Sequence, residues 1–328
     1  MNWIPLYLLA FAGGFAGTAA ALPLWRPLCS RLGLIDEPGG RKTHEASMPL
    51  AGGLAIATGL LAPAGIAIVC LWMRAPWLPL DSGTLDSLIY GLGRRRFQLA
   101  AIFAGALGML AVGILDDRHE LRPALKFAGQ VVVALLVAMT GVRVTLFVPS
   151  DLFSYAVTVL WIVTVINAFN FTDNMNGLCA GLGVIGAFYF AAISGASEHY
   201  LVAALASLVC GAIAGFIPSN YPNARVFLGD SGSHLVGYLL AVLAILPHFH
   251  TPDAPRAWAV LSPLLILAVP LGDLVRVVLL RWRMGKPFYI GDQNHLSHRL
   301  VQAGMSRAGA VALLWLVALV LGAVPLLL

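Results

Sequence analysis

The sequence predicts an all-α, polytopic membrane bundle of about ten helices, with a polar site at helix ends on the cytoplasmic face. Three observations predict it. The chain of 328 residues is 59% apolar and only 11% charged, with a mean hydropathy of +0.86. A soluble domain carries about 25% charged residues. Apolar runs recur at the length of roughly 20 residues that a helix needs to cross a bilayer. Carboxylates and amides gather where three of those runs end, at Asp116-Asp117, Asn167 to Gly177, and Gly229 to Gly232. Charge at membrane depth is costly and marks a site or a water-filled cavity.

Ten segments read as spans: 3–23, 50–72, 97–115, 124–141, 152–170, 177–194, 200–217, 232–247, 257–280 and 308–327. They make one integral membrane domain over 1–328 and leave no room for a sizeable soluble one. A secretory signal has its positive charge ahead of the apolar run. Here Arg26 and Arg31 follow the first run, so it reads as a retained helix. With the N-terminus outside, the inside loops hold 14 of the 20 Lys and Arg, which the positive-inside rule favours. Arg94, Arg95 and Arg96 run against it. The net charge of +5 suits an anionic leaflet and anionic ligands. No basic domain is present to bind nucleic acid. Cys29, Cys70, Cys179 and Cys210 are scattered and read as small core residues.

In chain order, the first span carries Gly13-x-x-x-Gly17, a close-packing pattern. A turn at Pro38-Gly39-Gly40 follows, then Arg41, Lys42 and His44. These read equally as an interfacial anchor or a phosphate contact. Pro76, Pro79 and Gly83 argue against helix early in 73–96, and Ser87 to Gly93 reads as a short interfacial helix. Span 3 ends in Asp116-Asp117, followed by Arg118 and Arg122. Neighbouring helical side chains point about 100° apart, so the two acids suit different tasks better than one symmetric grip. Taken alone, a hydrated helix end paired with Arg118 and Arg122 is the simpler reading of them.

Span 5 runs into Asn167-Ala-Phe-Asn170-Phe-Thr-Asp173-Asn-Met-Asn176-Gly177. Span 7 leads through Asn220 and Phe227 to Gly229-Asp230-Ser231-Gly232. That last stretch suits a tight turn with backbone N–H groups free for an anion, or Asp230 as a plain helix cap. Phe227 could stack on a base or face lipid. His248-x-His250 lacks a third ligand nearby, and Asp273 with Arg276 reads as an i,i+3 ion pair. His295, His298 and Arg299 fall in a basic loop before the final span. No internal repeat is visible, which gives an inverted-repeat transporter no support.

Each cluster is weak alone, but the ordered set is specific. Asp116-Asp117, Asn167-x-x-Asn170-x-x-Asp173, Phe227-Leu-Gly-Asp230-x-Gly-Ser and His295-x-x-His298-Arg299 resemble the polyprenyl-phosphate N-acetylhexosamine-1-phosphate transferases, the family of MraY, WecA and TagO. The resemblance spans nearly the whole chain. It implies attack by a polyprenyl phosphate on the sugar-bearing β-phosphorus of a UDP-sugar, with release of UMP, in a bacterial inner membrane. It implies Mg²⁺, with Mn²⁺ as the alternative, and leaves a homodimer open. Asp230 is then the first metal ligand, joined by Asp173. Asp116 orients or deprotonates the lipid phosphate, with Asp117 beside it. Asn167, Asn170, Asn176 and Asn220 line the nucleotide-diphosphate side with Asp173. Lys42, His44 and Phe227 lie near the nucleotide, and His295, His298 and Arg299 contact phosphate or sugar.

Two departures stand out. The family's Asp-Gly-x-Asp-Gly is Asp173-Asn-Met-Asn176-Gly177 here, and Ser297 replaces the middle histidine of the last motif. The last loop looks closer to the WecA and TagO branch, which favours UDP-N-acetylglucosamine over the muramoyl-pentapeptide nucleotide of MraY. A transporter, the reading from another class, would place its ionisable residues near mid-span.

Overall fold

The computed structural model describes residues 3–37, 47–76, 78, 80–145, 148, 150–247, 260–287 and 294–327. Most of the described residues are helical. The first helix, α1 (Ile4–Arg31), leads to a two-residue strand β1 (Ile35–Asp36), which pairs antiparallel with β2 (Met48–Pro49). There follow α2 (Gly52–Trp72), α3 (Ser82–His119), α4 (Pro123–Met139), α5 (Asp151–Thr172), α6 (Leu178–Ala196), α7 (Tyr200–Ala214) and the single turn α8 (Ile217–Asn220). The last part holds α9 (Gly229–Leu243), α10 (Ser262–Ile266), α11 (Ala268–Arg283), α12 (Leu296–Gln302) and α13 (Arg307–Ala323).

Seven helices among the described residues are long and apolar enough to cross a membrane. Three of the segments read as spans form shorter helices: α4 of 17 residues, α9 of 15 and α11 of 16. The architecture is a multi-pass helical membrane bundle.

The bundle is organised around α9. Every residue from Ser231 to Leu243 is buried. From Leu235 to Leu243 it is apolar all round, as befits a helix in the middle of a bundle, and α9 packs there against α3 and α5, with α2, α6 and α7 completing the ring. Close approach to α3 depends on Gly113, where a Cβ would collide with the backbone of Asp230 and Ser231.

Two segments differ from the sequence reading. Residues 82–96 are not a loop with a short helix; they are the start of the 38-residue α3. Asp81 caps it, its carboxylate accepting from the Thr84 N–H at 2.9 Å and from the Thr84 hydroxyl at 2.6 Å. Leu85, Leu88, Ile89 and Leu92 then form a helical stripe against Trp3 and Leu71, which outweighs the glycines. The run 257–280 is not one unbroken helix. Within its described part, α10 ends before Leu267 and α11 starts after it. Pro270 has no N–H for the carbonyl of Ile266, and its ring crowds that carbonyl.

Candidate active site

The site grows from the meeting of the last turn of α3 with the first turn of α9. An α-helix leaves its first four N–H groups without intrahelical partners. The residue before α9, Leu228, supplies no side-chain cap. Asp117 supplies it from α3: Oδ1 accepts from the N–H of Asp230 at 2.7 Å and Oδ2 from that of Ser231 at 3.0 Å. Gly229, with φ of 73°, turns those amides toward α3. The acids of the pair therefore diverge. Asp116 is buried and faces α4, where the Lys126 ammonium lies 2.6 Å from its Oδ2. Its other oxygen accepts from the Leu121 N–H at 2.9 Å.

Lys126 is the hub that sequence reasoning missed. Its Nζ also lies 3.2 Å from Asp230 Oδ2 and donates to Asn170 Oδ1 at 3.4 Å. Asn170 Nδ2 in turn donates to Asp230 Oδ1 and to Ser233 Oγ. An ionisable residue near the start of an apolar helix is a functional-site signal by default, and Lys126 carried it. Among the described residues, no three His, Cys, Asp or Glu side chains form a ready-made metal cage. Two carboxylates, of Asp116 and Asp230, do converge on one cationic point. Hard oxygen donors in that number suit a divalent ion that completes its shell with water and substrate phosphates.

The cluster opens onto a cavity of about 1320 Å³. Asp116, Asp117, Asn170, Asp173, Asn176, Asn220, Phe227, Asp230 and His298 all line it. Asp173 closes the C-terminus of α5. Desolvation first, then the nearby carboxylates of Asp230 and Asp117, pushes its carboxyl well above the usual range. Asn176 is exposed and donates to the Pro222 carbonyl at 3.2 Å. Asn220 is buried and engages backbone at both ends, accepting from the Gly177 N–H and donating to the Val226 carbonyl. It ties the α5–α6 loop to the stretch before α9. The backbone of Phe227 is fixed by hydrogen bonds with Pro49 and Gly52. Lys42 and His44 lie outside the described residues, as does the His248-x-His250 pair. Asp36 and Glu37, just before Lys42, line the cavity.

Three expected site residues turn away from this cavity. Asn167 sits about one helical turn deeper than Asn170 and donates to Gln130 Oε1 at 2.7 Å. Arg299 is exposed and is not part of the lining. His295 is buried, its Nδ1 2.6 Å from Asp273 Oδ2. The i,i+3 ion pair expected for Asp273 and Arg276 is replaced by longer reach: Asp273 Oδ1 accepts from the Leu296 N–H at 2.7 Å, and Arg276 donates to the Asn294 carbonyl. Ser297 is buried and donates to Asn174 Oδ1 at 2.6 Å, joining α12 to the α5–α6 loop. Phe171 bridges the two regions, with His295 edge-on and the Arg281 guanidinium 5.1 Å from its ring centre.

Residues 99–248 match glycosyl transferase family 4. The chain is 30% identical over 318 residues to the probable undecaprenyl-phosphate N-acetylglucosaminyl 1-phosphate transferase of Bacillus subtilis, covering 94% of this chain and 81% of the relative. It is 32% identical over 341 residues to the decaprenyl-phosphate N-acetylglucosaminephosphotransferase of Mycobacterium tuberculosis, covering 95% and 80%. Against the undecaprenyl-phosphate alpha-N-acetylglucosaminyl 1-phosphate transferase of Salmonella typhi it is 28% identical over 326 residues, covering 94% and 80%.

Proposed function

We infer the reaction from one premise: this chain belongs to glycosyl transferase family 4 and, within it, to the polyprenyl-phosphate N-acetylglucosamine-1-phosphate transferases. It transfers N-acetylglucosamine-1-phosphate to a polyprenyl phosphate in the membrane. The donor is UDP-N-acetylglucosamine. A phosphate oxygen of the lipid forms a bond to the sugar-bearing β-phosphorus. The bond from that phosphorus to the bridging oxygen breaks, and UMP leaves with the electron pair. Transfer of this kind needs positioning and charge neutralisation more than covalent chemistry from the protein.

The observation that supports the site assignment is the convergence of Asp116 and Asp230 on Lys126 at the cavity wall. Bound Mg²⁺, or Mn²⁺ in its place, would polarise phosphoryl oxygens and offset charge on the departing UMP. Asp230 would be its first ligand, with Asp116 across Lys126 and Asp173 in the same cavity lining as the further oxygen donors. Lys126 screens the acids from each other and offers a cation to the incoming diphosphate. Asp116 faces the lipid phosphate. A phosphate monoester is already largely ionised near neutral pH, so orientation is the larger part of that task. Asn176 and Phe227 line the nucleotide side, and His298 meets sugar or phosphate. Charge asymmetry and the bacterial relatives support an inner-membrane location with the site on the cytoplasmic face.

The deciding experiment measures UMP release by the purified protein with polyprenyl phosphate, Mg²⁺ and a panel of UDP-sugars, beside Asp230→Asn. Release that depends on lipid and metal, with UDP-N-acetylglucosamine alone, and that is lost in the variant, is the expected result. Release with only the muramoyl-pentapeptide nucleotide would move the chain to the MraY-type reaction. Solute flux in proteoliposomes with no UMP formed would overturn the transferase.

A further inference from the structure

The adjacent acids at the end of α3 invite one role for both, yet their surroundings differ. Asp116 faces Lys126, and through it Asp230. Asp117 faces the backbone of α9. We propose that Asp117 is a positioning residue: by receiving the first amides of α9 it fixes where the Asp230 carboxylate points, and it neither holds metal nor moves a proton. The proposal deepens the transferase reading and rests on it for the importance of Asp230.

Four observations support it. Each Asp117 oxygen accepts one amide, at 2.7 and 3.0 Å, and those amides belong to Asp230 itself and to Ser231. No side chain local to α9 does the job, since Leu228 stands at the cap position. The seat is shaped for the contact. A Cβ on Gly229 would lie 2.9 Å from Asp117 Oδ2, and one on Gly113, a turn earlier on α3, would strike the backbone of Asp230 and Ser231. Finally, Asp230 is held at both ends. Asp117 fixes its backbone, while Asn170 and Lys126 hold its carboxylate. A side chain gripped only at its tip can swing with a frayed first turn. A shift of about 1 Å can reduce turnover by roughly 10²-fold, and loss of a group that orients a metal ligand weakens metal affinity by about 10–100-fold.

The test uses the full chain in detergent micelles, with Asp117→Asn, Asp117→Ala and Gly229→Ala. Three quantities are read: hydrogen exchange of the amides of 229–233 by mass spectrometry, Mn²⁺ affinity without substrate by electron paramagnetic resonance, and the Mg²⁺ dependence of UMP release. Asn can accept one of the two N–H groups but presents an NH₂ to the other. Positioning therefore predicts a graded series. Exchange in the first turn of α9 rises and Mn²⁺ binding weakens by about tenfold or more in Asp117→Ala, and by less in Asp117→Asn. Gly229→Ala, which pushes on the same contact from the other side, follows the alanine variant. The apparent KM for Mg²⁺ rises with these changes. The proposal falls if Asp117→Asn keeps wild-type exchange yet loses Mn²⁺ binding or turnover as fully as alanine, because the charge itself would then be acting. It falls too if exchange in the Asp117 variants is unchanged. Asp117→Asn and Gly229→Ala carry the test if alanine does not fold. Exchange and Mn²⁺ binding report on Asp117 even if no UDP-sugar yields UMP.

Discussion

The first turns of α9 and α12 are held by the same device. At α9, Asp117 from α3 accepts the N–H groups of Asp230 and Ser231. At α12, Asp273 from α11 accepts the Leu296 N–H and meets His295 Nδ1. Beyond that turn the two regions part. The 15-residue α9 is buried along nearly its whole length, locked between α3 and α5. The seven-residue α12 buries Ser297 and otherwise rests against α13 and the α5–α6 loop. Their charges are balanced differently too. In the centre one ammonium, Lys126, serves two carboxylates; on the flank Asp273 has an imidazole at one oxygen and a backbone amide at the other. The contact of His295 Nδ1 with the Asp273 carboxylate fixes the orientation of the ring. A capped first turn thus aims a side chain in both places. Only in the centre is the rest of the helix buried along its length.

Paired substitutions sharpen this contrast. Asp230→Asn should lower UMP release by at least about 10²–10³-fold, the scale on which loss of one preorganised electrostatic contact acts. Asp273→Asn keeps an acceptor for the Leu296 N–H and should lower release by about tenfold, as for a group that orients another. Mn²⁺ affinity should fall in the first variant and hold in the second. Equal losses in both assays would erase the distinction between centre and flank.

Lys126→Met tests the centre alone. It leaves Asp116 and Asp230 without their shared cation. Removing one partner of a buried pair costs up to about 3–5 kcal/mol, less here because Lys126 keeps 18% of its side chain exposed. A ligand that binds only the folded state restores stability by mass action. Millimolar Mg²⁺ should therefore raise the unfolding temperature of Lys126→Met more than that of the wild type. A variant as stable as wild type without metal would show that Lys126 does not hold the acids together.

The bundle and its acid clusters were legible because both are one-dimensional signals: long apolar runs, and charges that interrupt them. What was not legible came from partners distant in sequence. Asp273 has Arg276 three residues away, so a local pair was the natural reading, yet its partners are His295 and Leu296. Asn167 and Asn170 look equivalent, but the first turns to Gln130 on α4 and the second to Asp230. Lys126 is one of many inside charges by sequence, and only its place within an apolar helix marks it out. The length of α3 was hidden by glycines and prolines, whose breaking tendency a cap at Asp81 and a leucine stripe overcame.

The two departures from the family pattern test the flank. Ser297 is fully enclosed and bonded to Asn174. Putting the family's histidine there adds volume to a filled site, which costs about 1–3 kcal/mol, and removes the tie to the α5–α6 loop. Ser297→His should lower thermal stability and not raise turnover. Higher turnover at unchanged stability would mean that α12 is looser than its contacts imply.

Asn176→Asp should have the smallest effect, because its side chain is exposed. Asn176 donates to the Pro222 carbonyl at 3.2 Å. A carboxylate would face that carbonyl without a donor, losing one hydrogen bond of about 0.5–1.5 kcal/mol. Water can replace much of it at the surface. With that replacement the loss falls to the low end of the range, and UMP release should stay within about threefold, or roughly 0.65 kcal/mol. A tenfold gain in metal affinity would sink this placement, because the new carboxylate would then be reaching the ion from the cavity rim. The α5–α6 loop would then offer the proposed ion a second acid beside Asp173, and the contrast with α12 would have to be redrawn around that loop.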